Sequence, residues 1–413
     1  MKILYLLNVF PKLSETFILN EITGLIDLGH DIKIIALHNL KEEKVHDKVK
    51  EYNLINKTKY LEFYSDWEEK TNKYSKLKVF ELGSWALFNS SRLSKEERFK
   101  LLDLLYESEP NNEVAFRKFL DCLDIIKIIK EKKIKHIHCH FADENVAIAY
   151  IINKVIGIPY TFTTHAYDIF ISPDKDIKKW ADNAKKVITI SEYNKKYMYE
   201  KLRIPLEKIE IVTYSKYLNK LKPIKEYRND PFRLISISRL IEKKGYPYLI
   251  KACKILKDKG ISFSCDIQGE GKQKEELKEL IKKNNLENDI KLGGVFTHEE
   301  VLEFMETGSV FVLPCIQAKN GDMDGIPNVL MESMAKEIPT ISTKLVGIPE
   351  LIENNVNGIL VPQKNPETLA EAIIKIKNDN EFADRIRKKG RERVMEKFNV
   401  EKNVRKLLEV FSN

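Results

Sequence analysis

The chain has 413 residues, of which 43% are hydrophobic, and 70 basic against 62 acidic side chains give it a formal net charge of +8. This length is typical of two domains of about 200 residues each, with enough apolar side chains for two cores. The basic excess is spread through lysine-rich helices and forms no stripe interleaved with aromatics, so it favours an anionic ligand or weak attraction to an anionic membrane face over nucleic acid.

Neither a secretory segment nor a membrane span is predicted. The apolar run at the amino terminus ends at Asn8, which is too short for a signal peptide. The most apolar stretch, 147–158, contains Asn153 and Lys154 and falls short of the roughly 18 residues of a spanning helix. The 5 cysteines include no C-x-x-C pair, which indicates reduced core thiols. We therefore expect a cytoplasmic protein.

The first half opens with a β-α-β pattern. Residues 2–7 predict a buried parallel strand, 15–28 an amphipathic helix with Ser14 as its N-cap, and 31–37 the next strand. The G-x-G-x-x-G of a dinucleotide site is missing from this connection. Ser14, Glu15 and Thr16 are explained equally well as capping residues or as residues that contact a ligand.

Residues 40–125 are rich in Lys, Glu, Tyr and Leu and predict a helical insertion. The strand beyond it carries His136, His138 and His140 on one face, because side chains alternate along a strand. Three such histidines are able to bind Zn²⁺, but no cysteine or acid at metal-ligand spacing completes a site, and we predict no metal. The next strand, 159–164, brings His165 and Asp168 to its end, an arrangement that serves structure as readily as function.

The second half repeats the alternation after a linker at 220–230. Arg239 and Lys244 follow its first strand, where a guanidinium fork and an ammonium group suit a diphosphate. Gly269 and Glu270 follow the second strand. Glycine allows close backbone approach there, although the formation of a turn explains the glycine equally well. Val295 lies in the loop after the third strand.

The strongest pattern lies at 322–339. A buried strand at 310–314 leads through a turn-rich loop into a helix that begins near Ile326, with Pro327 in its first turn. The N-terminus of such a helix offers free N–H groups and a positive dipole end, which suit a phosphate. Two acids, Asp324 and Glu332, flank this position.

These residues resemble the family-4 retaining glycosyltransferases, sugar-nucleotide enzymes of the GT-B fold. Two acids separated by seven residues, around G-x-P-N-V-L-x-E-x-M-A, are similar to the family's signature, and S-x-S-R-L-x-x-K-K-G is similar to its phosphate clamp. The F-P-K-L-S-E-T-F-I loop and the H-x-H-F-A pattern resemble its capsule, exopolysaccharide and colanic-acid branch. The first of the two acids in this signature is usually Glu. This chain has Asp324 at that position, and the exopolysaccharide branch also has Asp there.

The resemblance implies an α/β protein with two facing Rossmann-like, doubly wound domains and a cleft between them. Residues 1–219 would form the acceptor-side domain, residues 220–399 the donor-side domain, and residues 400–413 a helix that crosses back to the first. The implied donor is a nucleotide-diphosphate sugar, UDP- or GDP-linked. The implied acceptor is a glycan or a polyprenyl-diphosphate-linked saccharide at the inner membrane face, and no cofactor or metal is expected.

The resemblance also implies roles for single residues. Glu332 would bind the donor ribose hydroxyls, and the departing phosphate would help to deprotonate the acceptor. The residues implied in catalysis are His165, Asp324, Arg239 and Lys244. Those implied in donor binding are Glu332, Gly325, Ile326, Pro327, Asn328, Val329, Ser238, Gly269, Glu270 and Val295. Those implied at the acceptor or in the cleft are Ser14, Glu15, Thr16, His140 and Asp168.

Three other interpretations stay open. Asp322-Met323-Asp324 is a D-x-D triplet, which binds metal in another glycosyltransferase fold. A sugar-nucleotide epimerase on the same fold would turn over the donor without an acceptor. A non-catalytic binding module would hold the nucleotide and release nothing.

Overall fold

The structure, a computed structural model, describes residues 1–13, 15–40, 45–61, 93–107, 113–214, 217–218, 221–224, 227 and 229–412. The chain divides into two compact units. The first comprises Met1–Thr189, Tyr197–Ser215 and Val404–Asn413, and the second comprises Ile190–Lys196 and Lys216–Asn403. The predicted boundary between residues 219 and 220 stays a prediction.

Within the described residues, the first unit is built on a seven-stranded sheet in the order β3-β2-β1-β4-β5-β6-β7, with every neighbouring pair parallel. Because the order reverses between β1 and β4, helices cover both faces, as in doubly wound proteins. The strands are β1 (Lys2–Val9), β2 (Asp31–His38), β3 (Thr58–Tyr60), β4 (His136–His140), β5 (Tyr160–Thr163), β6 (Lys186–Thr189) and β7 (Ile209–Ile211).

Helices connect these strands, as parallel pairing requires. The helices are α1 (Thr16–Asp27), α2 (Asp47–Glu51), α3 (Leu54–Lys57), α4 (Lys95–Glu107), α5 (Glu113–Lys132), α6 (Glu144–Ile156), α7 (Ile177–Asn183) and α8 (Glu192–Leu202). The predicted helical insertion at 40–125 is wrong in one respect, since Thr58–Tyr60 extends the sheet by pairing with β2. Three residues are too few to show the alternation of a strand. Much of this region lies outside the described residues.

In the described part of the second unit, a six-stranded parallel sheet has the order β10-β9-β8-β11-β12-β13. This is the strand order of dinucleotide-binding sheets, with its reversal between β8 and β11. The strands are β8 (Arg233–Ile237), β9 (Ser264–Gln268), β10 (Ile290–Leu292), β11 (Val310–Leu313), β12 (Thr340–Thr343) and β13 (Ile359–Val361).

The helices that follow are α9 (Tyr246–Asp258), α10 (Lys274–Lys283), α11 (His298–Met305), α12 (Asn328–Ala335), α13 (Ile348–Leu351), α14 (Pro366–Asn378), α15 (Asn380–Lys397) and α16 (Val400–Ser412). The predicted α/β class with two doubly wound sheets is therefore confirmed. The cysteines are buried, as expected of core positions. Of the helices described, none has the length and apolar character to cross a bilayer.

The end of α16 packs within the first unit. The ring of Phe411 stacks on His136 of β4, with ring centres 4.5 Å apart, and its carbonyl oxygen accepts a 2.8 Å hydrogen bond from Lys185 Nζ. The carboxyl-terminal residues 404–413 accordingly group with the first sheet.

Candidate functional site

Among the residues that the structure describes, each unit has a cluster of polar side chains at the position where the strand order of its own sheet reverses. In the first unit this position lies between β1 and β4, and in the second between β8 and β11. Doubly wound sheets bind ligands outside the carboxyl ends of their strands at such positions, because the connecting helices diverge there and leave a crevice. Each cluster therefore lies where its own fold provides a ligand site.

The cluster of the first unit begins on neighbouring strands. Tyr5 of β1 is in register with His138 of β4, and their ring centres lie 5.3 Å apart. Both His136 Nε2 and His138 Nδ1 lie 2.8 Å from Thr161 Oγ1, which places these two histidines on the same face of the sheet. His140 ends β4 and is buried.

Glu21 of α1 is the carboxylate of this cluster. Its Oε1 accepts a 2.6 Å hydrogen bond from the Tyr5 hydroxyl, lies 3.0 Å from His140 Nε2, and lies 3.4 Å from His138 Nε2. Sequence reasoning missed Glu21, although the pattern contained a signal. Glu21 is three residues after Ile18 and four before Leu25, so it lies on the apolar face of α1.

Charge and burial act against each other at Glu21. Burial alone would raise the pKa of this carboxyl, but the charge of His140 and hydrogen bonds from His138 and His140 outweigh it and hold the pKa well below its usual range. Burial and the neighbouring Glu21 raise the pKa of Tyr5. Burial lowers the pKa of His138 and of His165, which keeps both rings neutral near pH 7. Glu21 is thus an ionised carboxylate that accepts hydrogen bonds from its neighbours.

His165, predicted as a catalytic residue, lies directly beside His140. The distance from His140 Nδ1 to His165 Nε2 is 3.2 Å, and the two rings are stacked 5.5 Å apart at an angle of 21°. Phe17 and Phe141 pack on the ring of His165 at 4.6 and 4.3 Å. His165 Nδ1 lies 3.5 Å from the hydroxyl of Tyr214, at the long limit of a hydrogen bond. The structure therefore brings two predicted residues, His140 and His165, into one network.

The Asp168 carboxylate accepts hydrogen bonds from backbone amides beside His140 and His165. One carboxylate oxygen accepts a 2.7 Å hydrogen bond from the His165 amide and the other a 2.8 Å bond from the Ala142 amide. Burial raises the pKa of Asp168 to about 7. Its carboxyl oxygens thus hold the loops after β4 and β5, and its predicted contact with an acceptor stays a prediction.

Among the described residues, one group of metal-ligand side chains comes together. The ligand atoms of Glu21, His138 and His140 lie within 4.8 Å of one another. The same atoms are engaged in hydrogen bonds with one another and with Tyr5 and Thr163. These bonds account for the short distances, and the expectation of no metal stays a prediction.

The cluster of the second unit joins the turn after β8 to the loop after β11. Lys244 Nζ lies 2.7 Å from Asp324 Oδ2. Lys243 Nζ lies 3.0 Å from Asp322 Oδ1 and 3.4 Å from Asp324 Oδ1. Both lysines are buried, so these charges depend on one another and little on solvent. Two lysines and two aspartates form this lysine–aspartate quartet.

The pKa values of the central pair agree with mutual ionisation. Burial would raise the pKa of Asp324, but the charges of Lys244 and Lys243 outweigh it and lower the pKa. Burial would lower the pKa of Lys244, but the Asp324 carboxylate outweighs it and raises the pKa. Asp322 and Asp324, considered above as a D-x-D metal triplet, each form an ion pair with a lysine, and the metal interpretation stays untested.

Glycines allow the turns around the quartet to approach closely. A Cβ on Gly245, which has a φ of +72°, would lie 1.9 Å from the carbonyl oxygen of Pro314 after β11. A Cβ on Gly269, with a φ of +145°, would lie 1.9 Å from the carbonyl oxygen of Ser238. Only glycine fits either position without a shift of the backbone. Gly269 thus lies close to the backbone of Ser238, and its predicted part in donor binding stays a prediction.

The predicted helix is α12, and it begins later than expected. Pro327 is its N-cap residue with extended backbone, and Asn328 is the first helical residue, so Pro327 is not in the first turn. Ends of helices are difficult to place from sequence to within one or two residues. Gly325 and Ile326 are buried just before it, while Val329 and Glu332 are half-buried on it. Asn328 Oδ1 is buried without a hydrogen-bond partner in the described structure.

The other predicted donor residues lie in loops at the carboxyl ends of β8, β9 and β10. The side chain of Arg239 is exposed, directly before the turn that carries Lys243 and Lys244. Ser238 Oγ lies 2.6 Å from the Tyr246 hydroxyl. Glu270 forms an ion pair with Lys274, and Val295 is 75% exposed.

Of the opening loop, Ser14 lies outside the described residues. Glu15 takes the N-cap position of α1 and forms a 2.7 Å ion pair with Lys12, and Thr16 is the first helical residue. Their predicted acceptor contacts stay predictions.

Two family models match the chain. "Glycosyltransferase Family 4" matches residues 87–213, and "Glycosyl transferases group 1" matches residues 219–393. Among curated relatives, the amylovoran biosynthesis glycosyltransferase AmsK of Erwinia amylovora is 29% identical over 99% of both chains. The putative colanic acid biosynthesis glycosyltransferase WcaL of Escherichia coli K12 is 29% identical over 97% of this chain and 96% of the relative.

Solved structures give the same result for the fold. A glycosyltransferase from Rickettsia africae superposes with a TM-score of 0.71 at 20% identity, covering 99% of this chain and 97% of that one. The Alr3699/HepE protein of Anabaena, solved with UDP, superposes with a TM-score of 0.72 at 16% identity over the whole of both chains. At these identities the likeness concerns the fold.

Proposed function

Because this chain belongs to the family-4 glycosyltransferases of the GT-B fold, we propose that it moves a sugar from a nucleotide-diphosphate donor onto a saccharide acceptor in the synthesis of a surface polysaccharide. The reaction proceeds with retention of anomeric configuration and without a metal ion. The donor carries UDP or GDP.

The observation that supports this proposal best is the lysine–aspartate quartet at the strand reversal of the second unit. Lys243 and Lys244 follow β8, Asp322 and Asp324 follow β11, and the four side chains meet through ion pairs of 2.7 to 3.4 Å. Cations at this position of a doubly wound sheet suit a diphosphate.

In this proposal the protein supplies the positive charge that a metal supplies in other transferases. Lys244 and the exposed Arg239 bind the diphosphate, and the N-terminus of α12 adds N–H donors. Lys243 contacts both aspartates, so it keeps Asp324 paired when Lys244 turns to the phosphate. The main catalytic effect is stabilisation of the departing diphosphate, which then takes the proton of the acceptor hydroxyl.

The first unit contributes a neutral hydrogen-bonding site for a sugar. His165 is buried, its pKa is lowered by burial, and it lies in a network with His140 and Glu21. A neutral imidazole exchanges hydrogen bonds with hydroxyl groups and offers no charge to a phosphate. This supports contact between His165 and a sugar hydroxyl.

The polymer is inferred from the relatives that are named for amylovoran and colanic acid biosynthesis. We expect the acceptor to be a lipid-linked saccharide, with the net charge of +8 favouring peripheral contact with an anionic membrane. High salt should then release the protein from membrane fractions. Full activity on free sugars, with no membrane-bound fraction at low salt, would contradict this part of the proposal.

The direct test is thermal stability in the presence of UDP, GDP, ADP and their sugar conjugates. One nucleotide should raise the melting temperature of the wild type, and Arg239→Ala should abolish most of that shift. Lys283→Ala is a matched control, because it also removes one exposed positive charge. Lys283 ends α10, just before β10, and so lies toward the amino ends of the strands, whereas Arg239 lies at their carboxyl ends. No shift with any nucleotide, or equal loss in both variants, would contradict the proposed donor site.

Turnover separates the proposed enzyme from other nucleotide-binding proteins. With the stabilising sugar nucleotide and lipid-linked acceptors from the producing cell, we expect a product of unchanged anomeric configuration by NMR and activity that survives EDTA. Turnover of the donor without any acceptor would identify an epimerase instead.

A further inference from the structure

Glu21, His140 and His165 form a continuous hydrogen-bonded chain on the face of the first sheet. Glu21 Oε1 lies 3.0 Å from His140 Nε2, and His140 Nδ1 lies 3.2 Å from His165 Nε2. We propose that Glu21, acting through His140, fixes the tautomer of His165 so that its Nδ1 is an unprotonated hydrogen-bond acceptor. Glu21 and His140 are then positioning residues for a histidine that contacts a sugar hydroxyl.

The placement of hydrogens follows from the chemistry of the groups. An ionised carboxylate only accepts hydrogen bonds, so His140 Nε2 donates to Glu21. In the proposed state His140 is neutral, as an ordinary imidazole is at about pH 8. A neutral imidazole that donates from Nε2 accepts at Nδ1, so His140 Nδ1 accepts a hydrogen from His165 Nε2. His165 therefore carries its hydrogen on Nε2, and its Nδ1 has a free lone pair.

The surroundings hold this chain in one orientation. Tyr5 donates a 2.6 Å hydrogen bond to the same oxygen of Glu21, which keeps the carboxylate in place. Phe17 and Phe141 pack on the ring of His165, and Asp168 accepts a 2.7 Å hydrogen bond from its amide. A ring flip of His140 or His165 would break the hydrogen bond between them.

The unprotonated Nδ1 determines what His165 recognises. It accepts a hydrogen bond from a hydroxyl, and its long 3.5 Å contact with the Tyr214 hydroxyl is weak enough for a sugar hydroxyl to replace. The inference rests on the proposed function, because the sugar is the ligand that this function assigns to the first unit.

Nitrogen-15 NMR of histidine-labelled protein tests the tautomer without any assay of activity. At about pH 8, where an ordinary histidine is neutral, long-range proton–nitrogen spectra separate the two tautomers. We expect His165, identified by the loss of its signals in His165→Gln, to have a protonated Nε2 and an unprotonated Nδ1. The opposite tautomer, or a mixture, in the wild type would overturn the proposal. This readout stands even if the chain transfers no sugar.

Substitutions test the role of Glu21. Glu21→Met removes the acceptor and should leave both tautomers of His165 populated, whereas Glu21→Gln keeps a carbonyl oxygen and should restore the single tautomer. Tyr52→Phe is the control, because it removes a 2.8 Å hydrogen bond to Asp27 at the end of α1, outside the network of Glu21, and should leave the tautomer unchanged. An unchanged tautomer in a folded Glu21→Met protein would contradict the proposal. If Glu21→Met does not fold, a mixture of tautomers in Glu21→Gln would contradict it.

Kinetics and metal analysis complete the test. Loss of one oriented hydrogen bond should lower kcat/KM by about three- to tenfold in Glu21→Met, with wild-type values in Tyr52→Phe. Wild-type kcat/KM in a folded Glu21→Met variant would contradict the positioning role. One equivalent of bound Zn²⁺ in the purified protein, lost in Glu21→Met, would also overturn the proposal, since His140 Nε2 would then bind metal.

Discussion

Lys244 and Asp324 form a 2.7 Å ion pair between the turn after β8 and the loop after β11. Eighty residues of chain separate them, and the parallel pairing of β8 with β11 brings the two loops to the same edge of the sheet. The family resemblance gave both residues separate roles, one toward the phosphate and one toward the sugar. In the structure each is the other's counter-ion, so a change at one alters the other.

This pairing predicts strong coupling between the two side chains. Lys244→Met leaves the Asp324 carboxylate with the longer contact to Lys243 and the weak hydrogen bond from the Cys315 thiol, and we expect a loss of about 3 kcal/mol in unfolding free energy. Asp324→Asn should cost a similar amount. The loss of unfolding free energy in the double variant, measured by urea denaturation, should be about 1–3 kcal/mol smaller than the sum of the losses in the two single variants. Strict additivity would show that the two side chains do not interact.

The sequence predicted the fold and the family well, because both depend on patterns that repeat along the chain. Alternating apolar strands and amphipathic helices indicated β-α units in both halves of the chain. The resemblance of several motifs, above all the one at 322–339, to GT-B glycosyltransferases implied the two doubly wound sheets. Lys244 and Asp324 were each predicted from a local motif. Their pairing was not predicted, because it depends on which strands are neighbours.

Other residues were missed for a related reason. Lys243 adjoins Lys244 and only the structure shows that it contacts Asp322 and Asp324. Glu21 lies more than a hundred residues before His140, and no sequence pattern around either residue indicates that the two are in contact. The contact of Tyr214 with His165, which lies 49 positions earlier, was likewise not predicted. Contacts between distant segments thus account for most of what the sequence did not reveal.

Gly245 gives a prediction with a closely matched control. Gly245 and Gly260 have φ values of +72° and +69°, but a Cβ on Gly245 would lie 1.9 Å from the Pro314 carbonyl oxygen whereas one on Gly260 would meet nothing within 4 Å. Gly260→Ala should therefore lower the free energy of unfolding by only about 1–2 kcal/mol, the cost of placing alanine in the left-handed conformation. Gly245→Ala should cost more and should weaken nucleotide binding, because the turn that carries Lys243 and Lys244 must move. Equal unfolding free energies for the two variants would show that the contact with Pro314 does not matter.

Acid should destabilise the first unit. Burial lowers the pKa of His136, His138 and His165, so these rings stay neutral in the folded protein while they take up protons in the unfolded chain below about pH 6.5. The unfolded state then binds more protons, and stability falls as pH decreases. The lowered pKa of Glu21 adds a further loss in stronger acid, below the usual carboxylate range of about pH 4.

Urea denaturation between about pH 8 and pH 5 measures this slope, which should be up to about 1.4 kcal/mol per pH unit for each histidine. His136→Asn removes one titrating group and should make the acid slope shallower, with the slope near pH 8 unchanged. A slope as steep as that of the wild type in this variant would mean that His136 does not contribute.

The contact between Phe411 and His136 predicts that the end of α16 stabilises the first sheet. Phe411 is 1% exposed, its ring stacks on His136, and its carbonyl accepts a hydrogen bond from Lys185. Phe411→Ala should therefore cost about 3–5 kcal/mol, the usual range for removing a buried phenylalanine. Glu409→Ala, on the exposed face of the same helix, should change stability by less than about 0.5 kcal/mol. If both variants unfold at the wild-type urea concentration, residues 404–413 do not contribute to the fold of the first unit.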